Sequence, residues 1–246
     1  MLGGGGPRGF AHIGVLKVLE EAGIKPDLVV GASVGAMVGA LYAGGLDARR
    51  LEQEALELNV ANFFELRMVA GKQSTGAYTQ SWVNELVGHR PLEALPIPLV
   101  ATAQRVHDKS MVLFNRGDTG LAVRASSATP DMFDPVKIGG VAYMDADDMS
   151  PVPIRVARSL GARKVIAVDV SAYESSTPPG VPREWVEKDA RRARQVALEA
   201  PLADVFLHPD IGYYAGHKDE YRRGVIAMAE RYTRERLPAI RAALAK

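Results

Sequence analysis

The sequence predicts an α/β fold, a mainly parallel central sheet with helices on both faces, from three observations. Short apolar runs alternate with longer segments of helical periodicity. A G-x-S-x-G pentapeptide, Gly31-Ala32-Ser33-Val34-Gly35, stands directly between the apolar run Leu28-Val29-Val30 and a small-residue helical run, Gly35 to Tyr42. A glycine run, Gly3 to Gly6, precedes a helical pattern from Ala11 to Ala22.

The elements follow in order. After the Ser33 turn and its helix, Asp47 caps a helix running to about Asn59. Asn62 to Val69 is an irregular apolar patch bounded by Gly71 and Gly76, read as core or as a substrate-facing lid. Pro98 to Thr102 and Met111 to Phe114 read as strands, and Asp118 opens a short helix to Ala125. A short apolar strand then ends at the acidic turn Asp145-Ala146-Asp147-Asp148. A helix from Pro151 to Leu160, a buried strand Lys164 to Asp169, the internal loop 175–182, a strand Ala203 to Leu207 and a long helix from about His217 to Ala245 complete the chain. The alternation makes one domain of residues 1–246, with its site at the carboxyl ends of the strands.

Composition bounds the function. A chain of 246 residues, 47% hydrophobic and 24% charged, is an ordinary globule long enough for a large core. Its formal net charge of +1 argues against a nucleic-acid partner. No cysteine is present, which removes thiolate chemistry, disulfides and a Cys nucleophile and is compatible with a cytoplasmic setting. Val29 to Leu46 is eighteen residues without a charge, but its five glycines divide it into strand, turn and helix rather than a membrane span. Arg191, Arg192 and Arg194 form a basic run read as the solvated face of a helix.

The chemistry centres on Ser33. Gly31 and Gly35 on either side permit a tight strand-to-helix turn that exposes the hydroxyl and leaves the Val34 amide near a helix N-terminus. The alternative is a serine that only caps its helix. The glycine run offers backbone amides for an anion, and its letters also fit the dinucleotide pattern Gly4-x-Gly6-x-x-Gly9. That reading fails because the following strand ends in Gly31 and the serine turn, where a ribose-binding acid is required. A metal reading of Asp145, Asp147 and Asp148 also fails, since the calcium-loop pattern has Val156 at its twelfth position. No metal or other cofactor is expected. His208 and His217 follow Asp145 in the order of a Ser-Asp-His triad, but each has a plainer place, His208 before Pro209 at the end of a strand and His217 near a helix start, while His12 reads as packing against the serine turn.

Taken together, these motifs resemble the bacterial patatin-like phospholipases, serine lipid acyl hydrolases with a Ser-Asp dyad. Gly4-Gly5-Gly6-Pro7-Arg8-Gly9 is similar to the family's G-G-G-x-[KR]-G loop, and Ser33 falls on its nucleophile. Arg124 to Pro130 resembles its R-A-S-x-x-x-P segment, and Asp145 falls on the Asp of its D-G-[GA] motif. The match runs from the N-terminus to about Tyr173. It implies a three-layer patatin-like fold and a serine esterase acting on phospholipid, lysophospholipid or similar acyl esters. Asp145 would be the base, Gly4, Gly5, Gly6 and Val34 the oxyanion donors, and Arg8, Gly31 and Gly35 their support. The implied partner is an acyl-ester lipid, with transient contact at a membrane surface and a cytoplasmic or peripheral location.

The departures carry expectations too. Only Met1 and Leu2 stand where the family has a full central strand, which implies a trimmed or redesigned chain or a poorly anchored glycine loop. Ala103 stands at an acid of the family pattern, and Asp131 and Asp134 replace small or apolar residues. Ala146 occupies the motif's glycine, so a positive φ there would strain the turn and slow catalysis. These substitutions leave a second reading, a weak or inactive relative that binds acyl chains or serves as a scaffold.

Overall fold

A computed structural model describes residues 1–63, 71–130 and 132–245. The first half contains α1 (Ala11–Glu21), β1 (Val29–Ala32), α2 (Val34–Ala43), α3 (Ala48–Glu57) and α4 (Ala77–Leu86). Next come β2 (Leu99–Arg105), β3 (Met111–Phe114), α5 (Thr119–Ser126), β4 (Val136–Ile138) and β5 (Val141–Met144). The chain closes with α6 (Ile154–Ser159), β6 (Ile166–Val168), α7 (Arg183–Glu199), β7 (Val205–Leu207) and α8 (Asp219–Ala245). Asp47 and Asp118 cap α3 and α5 as expected, accepting from the amides of Arg50 and Leu121.

The centre of the sheet is parallel. β1 pairs with β2 in register Val29 to Leu99, and β6 with β7 in register Ile166 to Val205. Leu2 bridges Gly31 on one side and Val168 on the other, so the first two residues hold a strand position between the halves. Its amide donates to Val30 O at 2.9 Å and its carbonyl accepts from Ala32 N at 3.1 Å, while Val168 N donates to Met1 O at 3.0 Å. The glycine loop that follows is held, contrary to the poor anchoring that the short start implied. The β2 edge departs from the parallel pattern: β3 and β5 both pair antiparallel to β2, and β4 antiparallel to β5. Apolar patterning reports burial and not strand direction, so this edge was not legible from alternation.

Three layers follow from the pleat, because successive side chains point to opposite faces. Val29, Leu99, Ala101 and Val168 join a core with α1, α2, α3 and α8. Their neighbours Val30, Val100 and Ala167 join a second core with Val152, Ile154 and Ala157 around α6 and Val196 of α7. The uncharged stretch Val29 to Leu46 is β1, the turn and α2, and no helix among the described residues is long and apolar enough to cross a membrane. The small-residue face of α2 meets the sheet: a Cβ on Gly39 would stand 2.9 Å from Val29 Cγ1. Most of the apolar patch Asn62 to Val69, and Asp131, lie outside the described residues.

Candidate active site

Ser33 sits at the turn between β1 and α2 with φ 52° and ψ −126°, a backbone conformation that costs an L-residue about 1–3 kcal/mol. Its neighbours explain how the turn closes. A Cβ on Gly31 would stand 2.5 Å from Ala36 Cα, and one on Gly35 2.2 Å from Leu2 O. The Ser33 amide donates to Ser126 Oγ at 2.9 Å, and that hydroxyl donates to Thr102 O at 2.6 Å, tying the strained turn to α5 and β2. The Ser33 side chain makes no capping bond to α2. The alternative reading, a serine that serves its helix, is therefore set aside.

The hydroxyl instead lies within electrostatic reach of Asp145, which follows β5 and is buried. Burial, and then the neighbouring Asp147 carboxylate, push Asp145 up to about 7. Ser33 and hydrogen bonds from the Asp147 amide (2.9 Å) and Thr129 Oγ1 (3.3 Å) oppose that rise by favouring the carboxylate. The backbone of Asp145 is fixed from both ends: its amide donates to Ala128 O at 3.1 Å and its carbonyl accepts from Gln104 Nε2 at 2.7 Å. A carboxylate poised near neutrality against a serine hydroxyl is the arrangement general-base catalysis needs.

The glycine loop lies beside this pair, with one correction. The Gly4 amide donates to Pro151 O at 2.9 Å, so it is not available to an oxyanion. Gly4 serves by closeness, since a Cβ there would stand 2.3 Å from Asp147 Oδ1 and 3.2 Å from Ser33 Cβ. Among the described residues no backbone bond takes up the amides of Gly5, Gly6 or Val34. Gly6 and Val34 open helical turns, which leaves their N–H groups without an intrahelical acceptor. Arg8 ties the loop to the segment before α8, donating to Tyr213 O at 2.5 Å.

These groups open on a cavity of about 790 Å³ lined by Gly5, Gly6, Ser33, Val34 and Asp145. Its walls are largely apolar, with Phe10, Met37, Leu41, Leu51, Phe63 and Trp82 among them. Exposed Trp185 and Tyr214 stand on its rim.

His12 is buried with its Nε2 2.8 Å from Gly3 O of the glycine loop; burial lowers it to about 4. His208 lies in a separate cluster, Nε2 3.0 Å from Ser171 O and 3.7 Å from Asp169 Oδ2, with its ring stacked on Tyr173. His217 lines the cavity, and burial and then Arg222 hold it below the usual imidazole range. Ala146 is not among the residues with positive φ, so the strain expected there is absent. Arg192 is not on a solvated face: its side chain is 12% exposed and ion-paired to Asp147. Ala103 is buried in β2, and the Asp134 amide donates to Ser74 O at 2.8 Å, away from the cavity lining. Among the described residues no three His, Cys, Asp or Glu side chains are grouped to hold a metal ion.

The family model described as patatin-like phospholipase matches residues 1–158. Human patatin-like phospholipase domain-containing protein 6 is 35% identical over 190 residues, 72% of this chain and 13% of that protein. An uncharacterized NTE family protein of Mycobacterium tuberculosis is 32% identical over 205 residues, 77% of this chain and 54% of that one. Lysophospholipase NTE1 of Coccidioides immitis is 30% identical over 186 residues, 73% of this chain and 12% of that protein. The chain thus spans a small part of its longer relatives. Among solved structures, VipD from Legionella pneumophila superposes with a TM-score of 0.59 at 12% identity, covering 97% of this chain and 66% of that one. The type III effector ExoU gives 0.56 at 15% identity, covering 97% and 52%. At these identities the two structures bear on the fold alone.

Proposed function

This chain belongs to the patatin-like phospholipase family, and on that premise we propose that it is a serine lipid acyl hydrolase working through a Ser33–Asp145 dyad. What carries the reading is one observation: a serine on a strained turn, beside a carboxylate raised to about 7, at the wall of an apolar cavity of about 790 Å³. The cavity suits an acyl chain, since each buried CH₂ contributes about 0.8 kcal/mol.

In this mechanism Asp145 accepts the Ser33 proton as Oγ attacks the ester carbonyl. The developing oxyanion takes the amides of Gly5, Gly6 and Val34, and losing one such donor costs on the order of 100-fold or more in rate. Pro7, with no N–H, cannot contribute. The alcohol fragment leaves with the proton that Asp145 took. Water, deprotonated by the same carboxylate, then releases the fatty acid from acyl-Ser33. The substrates proposed are phospholipid, lysophospholipid or similar acyl esters. Trp185 and Tyr214, 51% and 62% exposed on the rim, support transient contact with a lipid surface.

Fatty-acid release from a lysophospholipid tests the reading. The wild-type chain is expected to release it and folded Ser33→Ala is not. A folded wild type that binds the lipid without cleaving it would favour the acyl-binding, inactive relative instead.

A further inference from the structure

Asp147 poses an electrostatic problem for a hydrolase site. Its amide serves Asp145, but its carboxylate lies against Gly4, with Oδ1 buried and without a hydrogen-bond partner among the described residues. A second negative charge there opposes both ionisation of the base and growth of an oxyanion beside the same loop.

Arg192 answers it from α7, beyond the residues that match the family model. Its Nη1 is ion-paired to Asp147 Oδ2. Its Nη2 donates to Gly4 O at 2.7 Å, and its Nε to Ser171 Oγ at 2.7 Å. Asp169 Oδ1 lies 3.9 Å from Nη2. One guanidinium therefore holds the carbonyl of the glycine loop, neutralises the intruding carboxylate and anchors both to the turn after β6. The planar fork permits this because its donors diverge in fixed directions; an ammonium cannot reproduce all of them at once.

We propose that Arg192 is a positioning residue of the hydrolase site, fixing the glycine loop through Gly4 O and cancelling the Asp147 charge beside Asp145. This rests on the dyad reading above. The charged and titratable groups that line the cavity with Asp145 are Asp147 and Asp148 from its own turn, Arg192 with Lys188, Asp189 and Arg191 from α7, Arg8 from the glycine loop and His217 from the segment before α8. Asp169 and His12 stand behind the loop. Of these, Arg192 and Asp147 are in direct contact with each other and with the loop.

The test is the pH dependence of hydrolysis of a soluble p-nitrophenyl ester by Arg192→Ala, Arg192→Lys, Asp147→Asn and the double variant Arg192→Ala/Asp147→Asn, each checked for folding by circular dichroism. The base must be ionised, so anything that raises Asp145 moves the acid limb of kcat/KM to higher pH. Arg192→Ala is expected to lower kcat about 100-fold with KM within about threefold, and to move the limb up by about one pH unit as Asp147 loses its counter-charge. Asp147→Asn moves the limb down. The double variant returns the limb to the wild-type position or below while kcat stays low, because Gly4 O is still unheld. Arg192→Lys keeps the limb in place and recovers part of kcat, and guanidinium ion added to Arg192→Ala recovers part of it as well. A folded Arg192→Ala with unchanged kcat and limb overturns the proposal. Should that variant not fold, an unmoved limb in Asp147→Asn overturns it. If wild type and Ser33→Ala hydrolyse the ester equally, the dyad reading itself has failed, an outcome distinct from either.

Discussion

Ser33 with Asp145 and Ser171 with Asp169 are both buried serine–aspartate pairs just beyond the ends of sheet strands. The second pair has a histidine 3.7 Å from its acid, and by composition alone it looks closer to a catalytic triad. The surroundings reverse that ranking. Ser171 Oγ donates to Asp169 Oδ1 at 2.5 Å and accepts from Arg192 Nε, while His208 faces the Ser171 carbonyl rather than its hydroxyl. None of the three lines the cavity. Ser33 lies on its wall, on a strained backbone, beside amides that have no backbone acceptor among the described residues. A nucleophile is marked by strain, access and open donors around it, and not by the mere company of an acid and an imidazole.

The largest effect expected of that contrast is in the serines. Ser33→Ala abolishes p-nitrophenyl ester hydrolysis with the fold intact, whereas Ser171→Ala leaves turnover within about tenfold. The acids and the imidazole come next. Asp145→Asn lowers turnover by several orders of magnitude, while folded His208→Ala costs less than about tenfold; a collapse in the histidine variant transfers the base to that residue.

A pH-dependent effect on stability is smaller and of opposite sign. Asp145 is raised in the folded state to about 7, so folding is favoured with this group protonated. That contribution is complete below the ordinary value of 3.8 and is lost as pH rises through about 7. Asp145→Asn, which keeps the group neutral, is therefore expected to raise Tm by several degrees at pH 8 and to leave it unchanged near pH 3. Equal Tm values at pH 8 would show that burial does not penalise this carboxylate. The smallest effect is at Ala146. With no positive φ to relieve, Ala146→Gly leaves the rate of Ser33 acylation within about threefold and destabilises by about 0.5–1 kcal/mol through the unfolded chain.

The same contrast explains what could be read from the residues. Gly31, Ser33 and Gly35 announced the turn because close backbone approach admits few other residue types, and Asp47 and Asp118 announced their caps for an equally local reason. Arg192 was hidden in a basic run, since a charge pattern along a helix does not tell which arginine rotates inward; its neighbours Arg191 and Arg194 are exposed. Gly4 was taken for an oxyanion donor because nothing local reveals that Pro151 O, nearly 150 residues on, accepts its amide. The supports from Ser126, Thr129 and Gln104 were equally beyond reach. The first two lie in the Arg124 to Pro130 segment, which was legible as a motif, but their partners Ser33 and Asp145 come from other elements.

The central claim, that Ser33 and not Ser171 is the reactive serine, is tested most directly by labelling the folded chain with a fluorophosphonate and mapping the modified residue by mass spectrometry. A single adduct on Ser33 is expected, forming faster as pH rises through about 7 and absent from Ser33→Ala. An adduct on Ser171, or a folded wild-type chain that takes no label at any pH, would contradict it.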